Sequence, residues 1–260
     1  MAKSHSEPRQ NRNGVAAVDR ALAIAAAVEA AAGPVTLAEL ARATGLYKST
    51  LLRLLASLER YALVVRRADQ RYALGHFALR LGQAFEATYH LKECVLPVLE
   101  WLIEQGTESP SFHVWHDDDM RLCVYRIDSK HSTLDRVRAG DLLPIRRGAP
   151  GKVLRAFKNG YAQARGAELV YPSYGERDPA CAAVSCPVFG PGGELVGALS
   201  LSGPLERFSV IAVNKMSRPL LTAAKKATHA LGGPWPGASA AQAGVGESKK
   251  ARTQERRDHD

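Results

Sequence analysis

Between Lys48 and Arg60, Ser49, Arg53, Ala56 and Arg60 fall on one side of a helical pattern, a small, polar and partly cationic surface. On the opposite side Leu51, Leu54, Leu55 and Leu58 recur at i, i+3, i+4 and i+7, the stripe that docks a helix on a core. Small residues such as Ala56 and Ser57 let a helix sink into a major groove, where Arg53 can reach a guanine edge or a phosphate. Lys48, Ser49 and Thr50 open the helix, where free backbone N–H groups favour a phosphate. Arg66 and Arg67 lie a little further on, placed to touch a DNA backbone or minor groove. This set of residue types binds nucleic acid.

A second constellation would bind a small anion. Gly148-Ala149-Pro150-Gly151 opens a helix, with Pro150 suited to its first turn. Unpaired N–H groups there attract a carboxylate without needing a cation. In the strand pattern from Glu194 to Ser202, Val196, Ala198, Ser200 and Ser202 share one face, and Leu195, Gly197, Leu199 and Leu201 the other. Two hydroxyls on an otherwise apolar face need partners when buried, and a polar ligand is one way to supply them. Together the two features predict a pocket for a small acid.

The elements that position these residues follow from periodicity. Val18, Leu22, Ala25, Ala26 and Glu29 outline a first helix, closed by Gly33-Pro34. Thr36 and Glu39 have capping-box spacing before a short second helix that stops at Thr44-Gly45. The third helix covers Lys48–Arg60. Leu63–Arg66 and Arg71–Leu74 then alternate as a hairpin around Ala68-Asp69-Gln70. Two short helices joined by a glycine turn and followed by a hairpin make a winged helix-turn-helix. Phe77, Leu81, Ala84, Phe85 and Tyr89 form a stripe on a connecting helix with Arg80, Gln83 and Glu86 outside it, suited to pairing with a second copy. Further on, Ser111–Trp115 with Leu122–Ile127, and Ala182–Phe189 with Glu194–Ser202, read as hairpins, and Ile211–Leu231 as a helix. The fold class is α+β. The expected organisation is an arm over 1–14, the winged helix-turn-helix over 15–75, linker and dimerisation helices over 76–105, a sensor domain over 106–231 and an unstructured tail over 232–260.

Composition agrees. The 260 residues carry a net charge of +9, and residues 1–82 hold 12 basic against 6 acidic side chains, so the excess is concentrated in the DNA-binding third. Four scattered cysteines exclude a disulfide scaffold and point to a reducing compartment. The Ala-rich run over 15–32 is broken by Asp19, Arg20 and Glu29, so it is no membrane span, and a cytoplasmic protein is expected. Gly148–Lys152 is not a phosphate loop, because Arg146 and Val153 stand where a Walker motif needs Gly and Ser or Thr. His113 and His116 lie three apart on a strand and face oppositely, as do Cys181 and Cys186, so neither pair predicts a metal site. No metal and no cofactor are expected.

The segment Val35–Glu59, with Thr36-Leu37-Ala38-Glu39-Leu40-Ala41 and Ser49-Thr50-Leu51-Leu52-Arg53, resembles the DNA-binding domain of the IclR (isocitrate lyase regulator) family. So do Arg71-Tyr72-Ala73-Leu74-Gly75 and Leu79-Arg80-Leu81-Gly82. Gly148-Ala149-Pro150-Gly151-Lys152-Val153-Leu154 resembles the family's GAxGKxxL helix start. Cys186-Pro187-Val188-Phe189 and Ala198–Pro204 resemble its paired C-terminal strands. The resemblance spans roughly 15–231. It implies a GAF-like effector domain and dimers or tetramers that repress or activate genes under control of a small metabolite. It further implies an effector held at the positions of Gly148, Ala149, Ser200 and Ser202, by an acidic loop containing Glu176 and Asp178, and at Pro187 beside Cys186. Pro187 brings no side-chain donor, and Cys186 faces away from it. The segment between Phe157 and Tyr174 is shorter than the family's long helical insert. The expected partners are therefore double-stranded DNA with a pseudo-palindromic operator, a small organic acid, and a second copy of the chain, with no membrane. The alternative is an enzyme of small organic acids whose first domain only dimerises; no nucleophile, base and orienter can be assembled from spacing to support it.

Overall fold

The computed structural model describes residues 14–31, 33–133 and 135–236. The expected arm, Gly14 apart, and the expected tail beyond residue 236 lie outside them. The chain forms two compact units that divide between Tyr89 and His90.

The first unit runs α1 (Ala16–Glu29), α2 (Leu37–Thr44), α3 (Lys48–Arg60), β1 (Val64–Arg66), β2 (Tyr72–Leu74) and α4 (His76–Tyr89). Thr36 caps α2 reciprocally with Glu39: the Glu39 amide donates to the Thr36 hydroxyl at 3.2 Å, and the Thr36 amide to the Glu39 carboxylate at 2.7 Å. Gly45 ends α2 at φ +68°, a conformation open to glycine at little cost. β1 and β2 pair antiparallel, and Val35 bridges to Tyr72, tying the start of α2 to the wing. Ile24, Leu40, Leu51, Leu55, Leu58, Val64 and Tyr72 form the core. Each large aliphatic side chain buried there contributes about 1.5–3 kcal/mol relative to exposure.

One expectation for α1 fails. The buried face is Ile24 and Val28 with Ala21 and Ala27 beside them, whereas Val18 and Leu22 are exposed. In an alanine-rich helix several stripes have nearly equal apolar content, and the two β-branched residues that fit against α2 and α3 set the rotation. On α4, Leu79, Leu81 and Phe85 are likewise exposed.

The second unit begins with α5 (Leu91–Glu104) and continues with β3 (Ser109–Trp115), β4 (Met120–Arg126), β5 (Leu142–Pro144), α6 (Ala149–Ala156), β6 (Tyr171–Tyr174), β7 (Cys181–Phe189), β8 (Leu195–Pro204) and α7 (Val210–Ala230). The stretch expected as linker and dimerisation helices over 76–105 holds α4, in the first unit, and α5, in the second. The six strands form one antiparallel sheet in the order β5-β4-β3-β8-β7-β6. α5 and α7 cover one face, packing Leu99, Leu102, Leu220 and Ala224 on Phe112, Val184, Cys186, Leu199 and Leu201. α6 covers the other, where Val153, Leu154 and Phe157 meet Ile145, Phe189 and Ala198. The register of β7 on β8 shifts between Val188 and Phe189, which pair with Gly197 and Leu195 and leave Val196 over. The bulge reverses the alternation expected at the start of β8: Leu195 joins the α6 side and Val196 the α7 side. Beyond it, Ala198, Ser200 and Ser202 lie on the α6 side as the spacing predicts. Among the described residues no helix is long and apolar enough to cross a membrane.

Candidate functional site

On the first unit, α3 buries Leu51, Leu55 and Leu58 and presents Lys48, Ser49, Arg53 and Ser57 to solvent, with Thr50 half-buried. Arg66 and Arg67 are both exposed on the wing. The Arg66 guanidinium lies 5.8 Å from the Tyr72 ring centroid, so a buried aromatic steadies its stem. The Arg67 amide donates to Arg71 at 2.8 Å and closes the hairpin loop. One feature escaped the sequence: Tyr47, immediately before α3, is 84% exposed, an aromatic ring at the end of the helix that carries the polar face.

On the second unit a small cavity opens on the α6 side of the sheet. Gly148, Ser200 and Ser202 line it, as do Pro150, Ser173 and Cys181. The two serines find their partners within the protein. Ser200 donates to the Val184 carbonyl at 3.2 Å, and Ser202 accepts from Arg126 Nη1 at 3.3 Å. Their need for hydrogen bonds is thus met by the protein itself.

The charges that dominate the cavity come from elsewhere. Arg121, only 2% exposed, lines it from β4. Its Nη1 donates to the carbonyls of Pro144 and Arg147, while its Nε has no partner. No carboxylate pairs with it among the described residues. Burial, with the nearby Arg177 charge added, pulls its guanidinium down to about 10, so it is still a cation at neutral pH. Arg177 lines the cavity from the β6–β7 loop, 3.7 Å from Asp135. Asp135 is buried and also pairs with Arg126. His113, 2% exposed, shares a 3.0 Å hydrogen bond with Ser111 through Nε2 and leaves Nδ1 unpartnered. Burial, then Arg121, Arg126 and Arg177, holds its pKa well below the ordinary range, so the ring is neutral.

The remaining expected positions surround this cavity or miss it. Ala149 is buried at the first turn of α6. Glu176 sits at that helix start, accepting from the Gly148 amide at 3.4 Å and pairing with Lys152. Burial works to raise its pKa, but Lys152 and the Gly148 amide outweigh it and keep the group ionised. Asp178 shapes its own loop, accepting from the Ala180 amide at 3.0 Å. Pro187 pairs in register with Ala198. Cys186 lies in the α5–α7 core with its sulfur 3.6 Å from the Leu220 carbonyl, so the structure does not bring it to the cavity. Its thiol, like that of Cys123, is pushed up by burial and is inert. Sequence reasoning missed Arg121 and Asp135 as site residues, and treated His113 only as a metal candidate. The available signal was an arginine at an inward position of an alternating strand.

The chain thus combines a winged helix-turn-helix with an α+β unit that holds a charged cavity. Residues 17–68 match the family model of the IclR helix-turn-helix domain. It is 26% identical over 233 residues to the transcriptional repressor IclR of Escherichia coli K12, a match covering 77% of this chain and 84% of the relative. An IclR transcriptional regulator from Silicibacter sp. TM1040 shares the fold with a TM-score of 0.72 at 21% identity, over 85% of this chain and 98% of that one. An IclR homologue from Microbacterium hydrocarbonoxydans, solved with 4-hydroxybenzoate bound, shares it with a TM-score of 0.69 at 16% identity, over 83% and 99%.

Proposed function

We propose that this chain is a cytoplasmic, non-enzymatic repressor that binds a pseudo-palindromic operator as a homodimer or higher assembly, and that a small organic acid in the second unit controls that binding. Lys48, Ser49, Thr50, Arg53 and Ser57 enter the major groove, and Arg66 and Arg67 hold the flanking backbone. The observation that carries the reading is the exposed polar face of α3 on a domain matching the IclR helix-turn-helix model. Two-fold pairing sets two recognition helices about one DNA turn apart. For the effector, the cationic cavity around Gly148, Arg121 and Arg177 supports an acid. A homologue of the same fold binds 4-hydroxybenzoate, itself an acid. Control requires that the acid bind the free and operator-bound forms unequally.

The test is capture of fragmented genomic DNA by the full chain and by Arg53→Ala near physiological salt, with sequencing of what binds. The expected result is a few promoter fragments sharing a pseudo-palindrome, with discrimination reduced by about 1–3 kcal/mol in the variant. Diffuse, salt-sensitive binding by both proteins would overturn sequence-specific recognition through α3.

A further inference from the structure

We infer that the outer face of α6, on the second unit, is a second DNA-backbone surface, a row of cations that holds phosphates without reading bases. It goes beyond the recognition surface of α3 and uses none of the residues placed there. Residues 142–167 carry six basic side chains, Arg146, Arg147, Lys152, Arg155, Lys158 and Arg165, and no acidic one. Residues 83–260 hold 23 basic and 20 acidic side chains, so outside 142–167 that part of the chain has 17 against 20. The positive charge is gathered in one stretch, and a field of one sign attracts a polyanion.

The fold carries these residues to one side of the sheet. α6 buries Ala149, Pro150, Val153 and Leu154 and leaves Arg155 exposed, with Lys152 half-buried one turn before it. The Lys158 ammonium stands 4.5 Å from the Trp115 ring centroid, and the Arg165 guanidinium 5.5 Å from that of Tyr161. Both rings pack against the cluster that α6 covers, so these cations share its side. Arg146 and Arg147, both exposed, lead into Gly148 at the helix start. Folding alone does not account for the row. The helix dipole favours Arg155, in the last turn, but disfavours cations at the N-terminal end, where Arg146 and Arg147 stand. Lys152 pairs with Glu176, and among the described residues none of the other five forms an ion pair. An acidic protein is the other polyanion to weigh. Protein interfaces are anchored by aromatic and apolar side chains, and residues 145–167 expose no large hydrophobic one. Arginine and lysine with Asn159 exposed beside them are instead the donors that hold phosphates.

The experiment measures binding of the full chain to a random-sequence duplex of about 60 base pairs as salt is raised. The test variant is Arg146→Gln/Arg155→Gln/Lys158→Gln. The control, Lys215→Gln/Arg218→Gln/Lys225→Gln, removes the same charge from exposed positions of α7, which covers the opposite face of the sheet. Each phosphate contact adds about 0.9 to the slope of log affinity on log salt, so the test variant should flatten it by about 2–3 per bound chain. Its affinity at about 0.1 M salt should fall about tenfold or more. The control should keep the slope of the unmodified chain, and both variants should melt cooperatively. Phosphate contacts carry no sequence information, so the test variant should keep the discrimination among promoter fragments that Arg53→Ala loses. An unchanged slope in the test variant would overturn the inference and return this face to an acidic protein; recognition through α3 would stand if Arg53→Ala still lost discrimination. Equal flattening in test and control would also overturn it, since net charge alone would then explain the binding. Failure of the unmodified chain to bind any duplex would overturn both readings.

Discussion

The Gly148 amide, at the start of α6, donates to the Glu176 carboxylate at 3.4 Å, and Lys152 one turn later pairs with the same group. The protein's own loop thus supplies a carboxylate where an acid ligand was expected to sit. A free helix N-terminus favours an anion by roughly 0.3–1 kcal/mol, and here that preference is already engaged by Glu176. Glu176→Ala should release the Gly148 amide and the Lys152 ammonium to an incoming acid. Affinity for an acid probe such as 4-hydroxybenzoate should rise about fivefold, equivalent to about 1 kcal/mol. A fall in affinity would instead make Glu176 a direct ligand contact, as the family resemblance implies. The stability loss from the rim ion pair should stay below about 1 kcal/mol, because exposed pairs contribute little.

His113 makes the second unit sensitive to acid. Its ring is buried against Ser111 and faces Arg121, Arg126, Arg177, Asp135 and Cys181, and the folded protein keeps it neutral well below the ordinary histidine pKa of 6.5. The unfolded chain takes up that proton near pH 6.5 and the folded chain does not. Stability is therefore fully present above pH 6.5 and declines as pH falls below it, by up to about 1.4 kcal/mol per pH unit for one group. Urea titrations between pH 7.5 and 5 should show this slope, and His113→Gln should flatten it. An equal slope in both proteins would assign the acid sensitivity to other groups.

How far the sequence carries the reader depends on how local each feature is. The capping box of Thr36 and Glu39, the Gly45 stop and the leucine stripe of α3 all act within a few residues, and the first unit follows from them. The stripe of α1 does not, because Val18 and Leu22 compete with Ile24 and Val28 and only the docking of α2 and α3 decides between them. The cavity is the opposite case to the capping box. Arg121 reaches carbonyls 23 and 26 residues away, and Arg126 reaches Ser202 across 76 residues. Those meetings are set by the order of strands in the sheet, which periodicity does not encode. Ser200 and Ser202 were legible as a polar face, but their partners were not. The bulge at Val196, which swaps the faces of Leu195 and Val196, also has no local signal beyond the nearby glycines.

The glycine at position 151 ties the site to the fold. A Cβ there would collide with the Ile145 carbonyl, which is backbone and cannot swing aside, and would lie 3.5 Å from Arg121 Nη1. α6 therefore approaches the segment after β5 more closely than any side chain permits, and that approach places the Pro144 and Arg147 carbonyls around Arg121. Gly151→Ala should push α6 outward, at a cost of about 1–3 kcal/mol for forced overpacking. The same shift should loosen Arg121 and weaken binding of the same acid probe, while Arg53-dependent DNA discrimination measured without the acid is unaffected, because α3 belongs to the other unit. Gly148 and Pro150 frame the same turn, so relaxation there cannot absorb the shift without opening the cavity. A variant of unchanged stability and unchanged ligand affinity would show that Ile145 yields freely and that the close packing of α6 does not position the arginine.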